Sequence, residues 1–260
     1  MKKFWLIMVI LLCLLSVIGG KLYWNHRLNQ VRASSAIQSQ DELSGLNAES
    51  SDSSDSLVMK KIKKLPSGLQ KAAINAYKKN GQVQISLIGS ENTQGLAMLL
   101  QQQFDKVYGA SFFKVTVQDL SKSNSLALNQ AKIQDLMKNV NGQPDAIIFT
   151  PLLYNDDRNV STEDTETVTS LLEEKAKIKY PKAAFFVSLP NYSSNQSYMN
   201  RRIDQLKTYI QKQKIDEINY LSKWPKGAKR VDVVGSDGHT MNKSGQKIWI
   251  DYVSDKWGLK

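Results

Sequence analysis

A single cysteine and two histidines stand among the 260 residues. One cysteine excludes an intrachain disulfide framework and a cysteine-based zinc site. It is Cys13, inside an apolar run, so everything after that run is cysteine-free. With only His26 and His239 to supply imidazole, and with carboxylates scattered, no metal-ligand spacing is present. Neither a metal nor a cofactor is expected. The glycine turn at Gly89 lacks the lysine of a phosphate-gripping P-loop. No internal repeat is visible. The content of 41% hydrophobic, 23% charged and 8% aromatic residues excludes a disordered or collagen-like chain.

Acid is the scarcer charge. Asp and Glu number 24 against 35 Lys and Arg, a net charge of +11. The excess is spread over pairs such as Lys60-Lys61 with Lys63-Lys64, Lys78-Lys79, Arg201-Arg202 and Lys229-Arg230, with no single stripe. These pairs read either as solvated faces or as attraction for anionic envelope polymers or lipid headgroups. Nucleic acid is not an expected partner.

One long apolar stretch is present. Met1-Lys2-Lys3 precedes a run from Phe4 to Gly20 broken only by Ser16. Its roughly 17 residues are at the short end of what crosses a bilayer. Leu22, Tyr23 and Trp24 can extend it, with the aromatics at the interface. Positive charge before the run keeps the N-terminus inside and exports the rest. A cleaved signal peptide is the rival reading, but no small-residue cleavage site follows the run, and Ile10-Leu11-Leu12 does not suit a lipoprotein signal at Cys13. Residues 1–24 are therefore read as an uncleaved membrane anchor, with residues 4–24 in the membrane. Residues 25–57 are rich in Ser and acid and poor in aliphatics, which predicts a disordered tether. Residues 58–260 are expected to form one extracellular domain.

Within that domain, strand and helix patterns alternate. Apolar strands are expected at Val83–Ile88, Phe112–Val117, Ala146–Phe149, Ala183–Val187 and Ile218–Leu221. Between them, Leu96, Leu99, Leu100 and Phe104 recur at helical spacing. So do Leu126, Ile133, Leu136 and Met137, and then Val168, Leu171, Leu172 and Ala176 behind the capping pair Ser161 and Asp164. Helices are also expected at Gln196–Lys212 and after Asn242, the last burying Ile248, Trp249, Tyr252 and Val253. Strands apolar throughout, separated by helices, predict a parallel sheet covered on both faces, a three-layer α/β/α sandwich. Sites in such sheets gather at the carboxyl ends of the strands.

Three segments fall there. Gly89-Ser90-Glu91-Asn92-Thr93-Gln94-Gly95 is a strand-to-helix turn, where a hydroxyl would meet free backbone N–H groups able to hold an oxyanion. Asn155-Asp156 follows the third strand, and an Asn amide can polarise a carbonyl. Asp237-Gly238-His239-Thr240-Met241-Asn242-Lys243-Ser244-Gly245 sets an acid two residues before the domain's one histidine. Any Ser-His chemistry must use His239, with Asp237 able to orient it. Each segment also has a plain reading, as a capped turn or a polar loop. A glycosidase-type carboxylate pair, Glu91 with Asp156 or Asp237, is not singled out by any spacing.

Taken in order, these blocks resemble the SGNH/GDSL hydrolase superfamily over most of Val83 to Lys260, above all its membrane-anchored, cell-surface members from Gram-positive bacteria. Gly89–Gly95 is similar to the family's Gly-Asp-Ser-x-x-x-Gly block, Asn155-Asp156 to Gly-x-Asn-Asp, and Asp237–Gly245 to Asp-x-x-His-Pro-Asn-x-x-Gly. The resemblance implies a flavodoxin-like parallel sheet and a serine esterase. Ser90 would be nucleophile, His239 general base, Asp237 its orienting acid and Asn155 an oxyanion donor. The spacing departs from the family. Glu91 falls where the serine belongs, Thr240 where the histidine belongs, and Met241 replaces the proline. A glutamate in the serine's place could serve as a base toward water. The expected substrates are O-acyl groups on envelope glycans or lipids. The alternative is a catalytically inactive domain that binds an envelope polymer or a surface partner.

Overall fold

The computed structural model describes residues 50–260. The stretch expected to be an anchor, residues 1–24, and the expected tether up to residue 49 lie outside the described residues. Among the described residues no helix is long and apolar enough to cross a membrane. The first helix, α1 (Ser50–Ile62), begins inside the stretch whose composition reads as tether, and the compact unit runs from Leu57 to Lys260. Ile62 is fully buried, with Val58 and Met59 packed against the core. That burial stabilises helix at the end of a segment whose polar start predicts none.

The chain continues through α2 (Ser67–Lys78) into β1 (Val83–Gly89), α3 (Thr93–Tyr108), β2 (Phe113–Asp119) and α4 (Ser125–Gln130). Then come β3 (Ala146–Phe149), α5 (Thr162–Lys179), β4 (Ala184–Ser188), α6 (Ser197–Gln213), β5 (Glu217–Ile218) and α7 (Lys243–Trp257). The five strands are all parallel and lie in the order β2-β1-β3-β4-β5. Every residue of β1 and β3 is buried, as a sheet covered on both faces requires. Helices flank the sheet, α3 packing on α7 and α5 packing on both α4 and α6.

Two departures from the sequence pattern are local. The helix read through Leu126 and Met137 is two pieces, α4 and a 3-10 turn at Ile133–Met137, because Ala131 and Lys132 are extended. The two pieces bury Ile133, Leu136 and Met137 as expected, but Leu126 is exposed and Leu128 takes the buried place on α4, because the break at Ala131 and Lys132 resets which face meets the core. β5 stops after Ile218, and Tyr220-Leu221 is buried by a 3-10 turn instead.

The architecture fixes the site. Chain order reverses between β1 and β3: β2 lies on one side, and β4 and β5 on the other. That switch point leaves a crevice outside the carboxyl ends of the strands. Close packing keeps its walls together. A Cβ on Gly89 would come 2.6 Å from Thr93 Oγ1, and one on Gly95 2.6 Å from Gln246 Nε2, so α3 can lie tight against both the strand end and α7. Trp249, fully buried on α7, donates from Nε1 to Ser188 Oγ at 3.0 Å and ties α7 to the end of β4.

Candidate active site

The turn after β1 carries Ser90, Glu91 and Asn92 to the mouth of the crevice. Thr150, Pro151 and Tyr154 come from the loop after β3, and Ser188, Leu189, Pro190 and Asn191 from the end of β4. Met241 and Tyr220 close the cleft, which holds a cavity of about 20 Å³. By that measure there is room for about one water-sized group.

His239 stands over this cleft. Its Nε2 lies 3.5 Å from Glu91 Oε2, and its Nδ1 lies 3.9 Å from Asp237 Oδ1. The ring stacks on Tyr154, with centroids 4.7 Å apart and planes 20° from parallel. Asp237 Oδ1 also accepts the backbone N–H groups of His239 and Thr240, each at 2.9 Å. The carboxylate thus shapes the turn that presents the ring. Gly238 lies at φ 79°, and a Cβ there would strike Asn195. A glycine suits this one left-handed position between the acid and the imidazole.

Burial pushes the Asp237 carboxyl up, but the Thr240 side chain, the two amide donors and the adjacent His239 outweigh that and hold it below its ordinary value. A carboxyl lowered in the folded state adds stability that is present above its unfolded pKa and lost as pH falls through the folded one. The pH-dependent movement of the His239 and Thr240 amide resonances should therefore be centred below the ordinary aspartate value. Movement centred higher would contradict the lowered carboxyl. Burial, with Glu91 and Asp237 nearby, pushes the Tyr154 hydroxyl well up, so it stays protonated and donates to Asn191 O at 2.7 Å.

A second layer of amides joins the loops. Asn191, 1% exposed, donates from Nδ2 to His239 O at 2.7 Å and accepts from Asn92 Nδ2 at 3.2 Å. Asn92 Oδ1 accepts the Met241 N–H at 2.8 Å. The loops after β1, β3 and β4 and the segment before α7 therefore meet through Asn92, Tyr154, Asn191 and His239. Asn191 belongs to none of the three segments, and the residue type of Tyr154, in the segment that carries Asn155 and Asp156, signals no role. The signal that could have found Asn191 was its place just past Leu189-Pro190 at a strand's carboxyl end.

No family model matches the chain, and no curated protein matches it by sequence. Solved structures do match. A carbohydrate esterase of family 3 from Talaromyces cellulolyticus aligns with a TM-score of 0.56 at 13% identity, covering 67% of this chain and 96% of its own. A GDSL-like lipase from Bacteroides thetaiotaomicron aligns at 0.52 and 13%, covering 74% and 97%. A lipase/acylhydrolase from Enterococcus faecalis aligns at 0.50 and 14%, covering 68% and 96%. The chain has the SGNH/GDSL hydrolase fold.

On the SGNH fold, the residues singled out from sequence fall into two groups. Ser90, Glu91, Asp237, His239 and Thr240 come together at the cleft. The imidazole faces the Glu91 carboxylate, and among the described residues the Ser90 hydroxyl has no hydrogen-bond partner. Asn155 and Asp156 are spent elsewhere. Asn155 donates from Nδ2 to Ser121 O at 2.9 Å and to Leu120 O at 3.3 Å, holding the loop after β2, and its Oδ1 is buried without a partner. Both amide protons are thus committed to backbone carbonyls rather than to the cleft. Asp156, 0% exposed, accepts from Ser125 N at 2.7 Å, Ser125 Oγ at 2.6 Å and Thr165 Oγ1 at 2.6 Å. It binds α4 to α5. The donors left for an oxyanion are the N–H groups of Glu91 and Asn92 ahead of α3, which have no acceptor among the described residues. The described residues hold no cluster of His, Cys, Asp and Glu able to bind a metal.

Proposed function

We propose that the chain is an exported, membrane-tethered hydrolase of the SGNH type that removes O-acyl groups from cell-envelope glycans or lipids. The carrying observation is the 3.5 Å approach of His239 Nε2 to Glu91 Oε2 at the switch point, with Asp237 behind the ring. The export and the tether rest on the apolar run at residues 4–24, and the chemistry on the pair. Glu91, in the serine's place, takes a proton from water, and the oxygen adds to the ester carbonyl. The oxyanion is held by the N–H groups of Glu91 and Asn92. The Glu91 proton passes to His239, which gives it to the alcohol oxygen as the bond to that oxygen breaks. The acid then leaves. Asp237 and Tyr154 hold the ring in place throughout.

A serine mechanism, with Ser90 as nucleophile and Asn155 at the oxyanion, predicts a different response to substitution. The full-length chain in detergent is assayed on p-nitrophenyl acetate and treated with a fluorophosphonate probe. On the water mechanism, Ser90→Ala keeps most turnover, Glu91→Gln loses it, and the probe does not label. Labelling that vanishes in Ser90→Ala, together with lost turnover, would overturn the water mechanism and restore the serine. An unaltered chain with no turnover on any ester tried would point to the non-catalytic alternative, a domain that binds an envelope polymer without cleaving it.

A further inference from the structure

The strongest unexplained surface lies at the other end of the sheet. From Leu57 to Ser90 the chain holds seven lysines and no acid. All seven are exposed, and none is in an ion pair among the described residues. Lys61 donates to Val107 O and is thereby fixed to the domain. The others are held only by their stems. Leu57, 57% exposed, shares a face of α1 with Lys60 and Lys61, at helical spacing opposite the buried Ile62. An exposed aliphatic flanked by lysines is the pattern of a segment that lies on a charged interface.

A groove of about 520 Å³ continues this surface. Lys71 of α2 and Lys79 just past its end line it with Lys182, which precedes β4, and with the neutral Asn75 and Gln82. Its one acid, Asp145, precedes β3 and is turned inward, accepting the Gln84 N–H at 2.8 Å. The groove is thus cationic, and it sits where strands begin. The cleft sits where the same strands end. The seven residues of β1 separate the two by roughly 20 Å.

We infer that the surface of α1, α2 and the Lys182 turn docks flat on a bilayer rich in anionic headgroups, with the cleft turned away from it. This deepens the proposed function and rests on its tethered reading. A cleft facing outward reaches wall glycans, not the lipids beneath, so O-acylated glycan becomes the substrate class. The bilayer is favoured over a soluble polyanion because the surface follows the anchor and tether directly in the chain. A polymer would need no exposed Leu57 beside the charge.

The full chain is reconstituted in vesicles carrying an acceptor dye on the headgroups. A donor dye sits on Ser67→Cys or on Ser121→Cys, each in a Cys13→Ser background. Ser67 adjoins the groove, and Ser121 lies in the loop after β2, at the cleft end. In phosphatidylglycerol-rich vesicles, Ser67 should be quenched well beyond Ser121. In phosphatidylcholine vesicles the difference should shrink, as it should when salt brings the Debye length to roughly 3 Å. Each lysine near such a surface is worth roughly a fivefold factor, so neutralising three in K71Q/K79Q/K182Q should weaken docking on the order of a hundredfold, and reversing them in K71E/K79E/K182E should weaken it further. The neutral triple K71Q/K79Q/K182Q serves if that variant does not fold, and Lys122→Glu at the cleft end should change nothing. Equal quenching of both donors in anionic vesicles would overturn the inference. So would Lys71, Lys79 and Lys182 being shielded from acetylation by soluble poly(glycerol phosphate) while Ser67 stays unquenched. A chain that does not float with vesicles at all fails the tethered reading instead.

Discussion

His239→Ala is expected to lower kcat/KM on p-nitrophenyl acetate by on the order of 10³, near the middle of what a positioned acid–base group contributes. The loss should fall on kcat, because the ring faces Glu91 and not the wall that would hold an acyl chain. Its supports are the Tyr154 stack at 4.7 Å and the Asp237-bound turn, and neither depends on substrate. Added imidazole should restore part of the rate to the truncated site, since the space above Tyr154 is left open. Stability should change modestly, because the loop keeps the hydrogen bonds made by the His239 backbone and loses only the 3.2 Å contact of the ring Nδ1 with Asp237 O. A variant that turns over at the unaltered rate would remove His239 from the mechanism.

Asp156→Ala should be the most damaging change to stability, about 3–5 kcal/mol, because buried donors that lose their acceptor cost about 1–3 kcal/mol each. The carboxylate is fully buried and accepts three hydrogen bonds from two elements. Its loss strands the Ser125 N–H and hydroxyl, each costing more unpaired than the bond itself yields. The midpoint of urea unfolding measures it directly, and Asp156→Asn should recover part of the loss by keeping two acceptor lone pairs. The consequence for function is indirect. Asp156 adjoins Asn155, so the loop after β2 should loosen with it and activity should fall only as the domain unfolds. A variant with full stability would mean that water replaces the carboxylate without cost.

The sheet was legible because parallel strands buried on both faces read as unbroken apolar runs, as in Ala146–Phe149 and Phe185-Phe186-Val187. The helices α3, α5, α6 and α7 announced themselves through wide buried stripes. In contrast, α2 buries only Leu69 and Ala73, too narrow a stripe for periodicity to reveal. Helix α1 begins in Ser and acid and becomes helical against the core it joins. The loop of Asp237 and His239 could be read from its residue types alone, since one histidine leaves no choice. The direction in which that ring points could not. Whether Glu91 or Ser90 faces it depends on the twist of a two-residue turn, and whether Asn155 faces the cleft depends on carbonyls of a loop more than thirty residues earlier.

Asn92 has one further consequence. Its amide group touches the loop after β4 with one end and the entry to α7 with the other. Neither lip of the crevice can swing out alone without stripping a hydrogen bond from the same side chain. The mouth should consequently gape or shut as one piece, and a bulky guest that displaces Met241 would register at once in the residue behind Pro190.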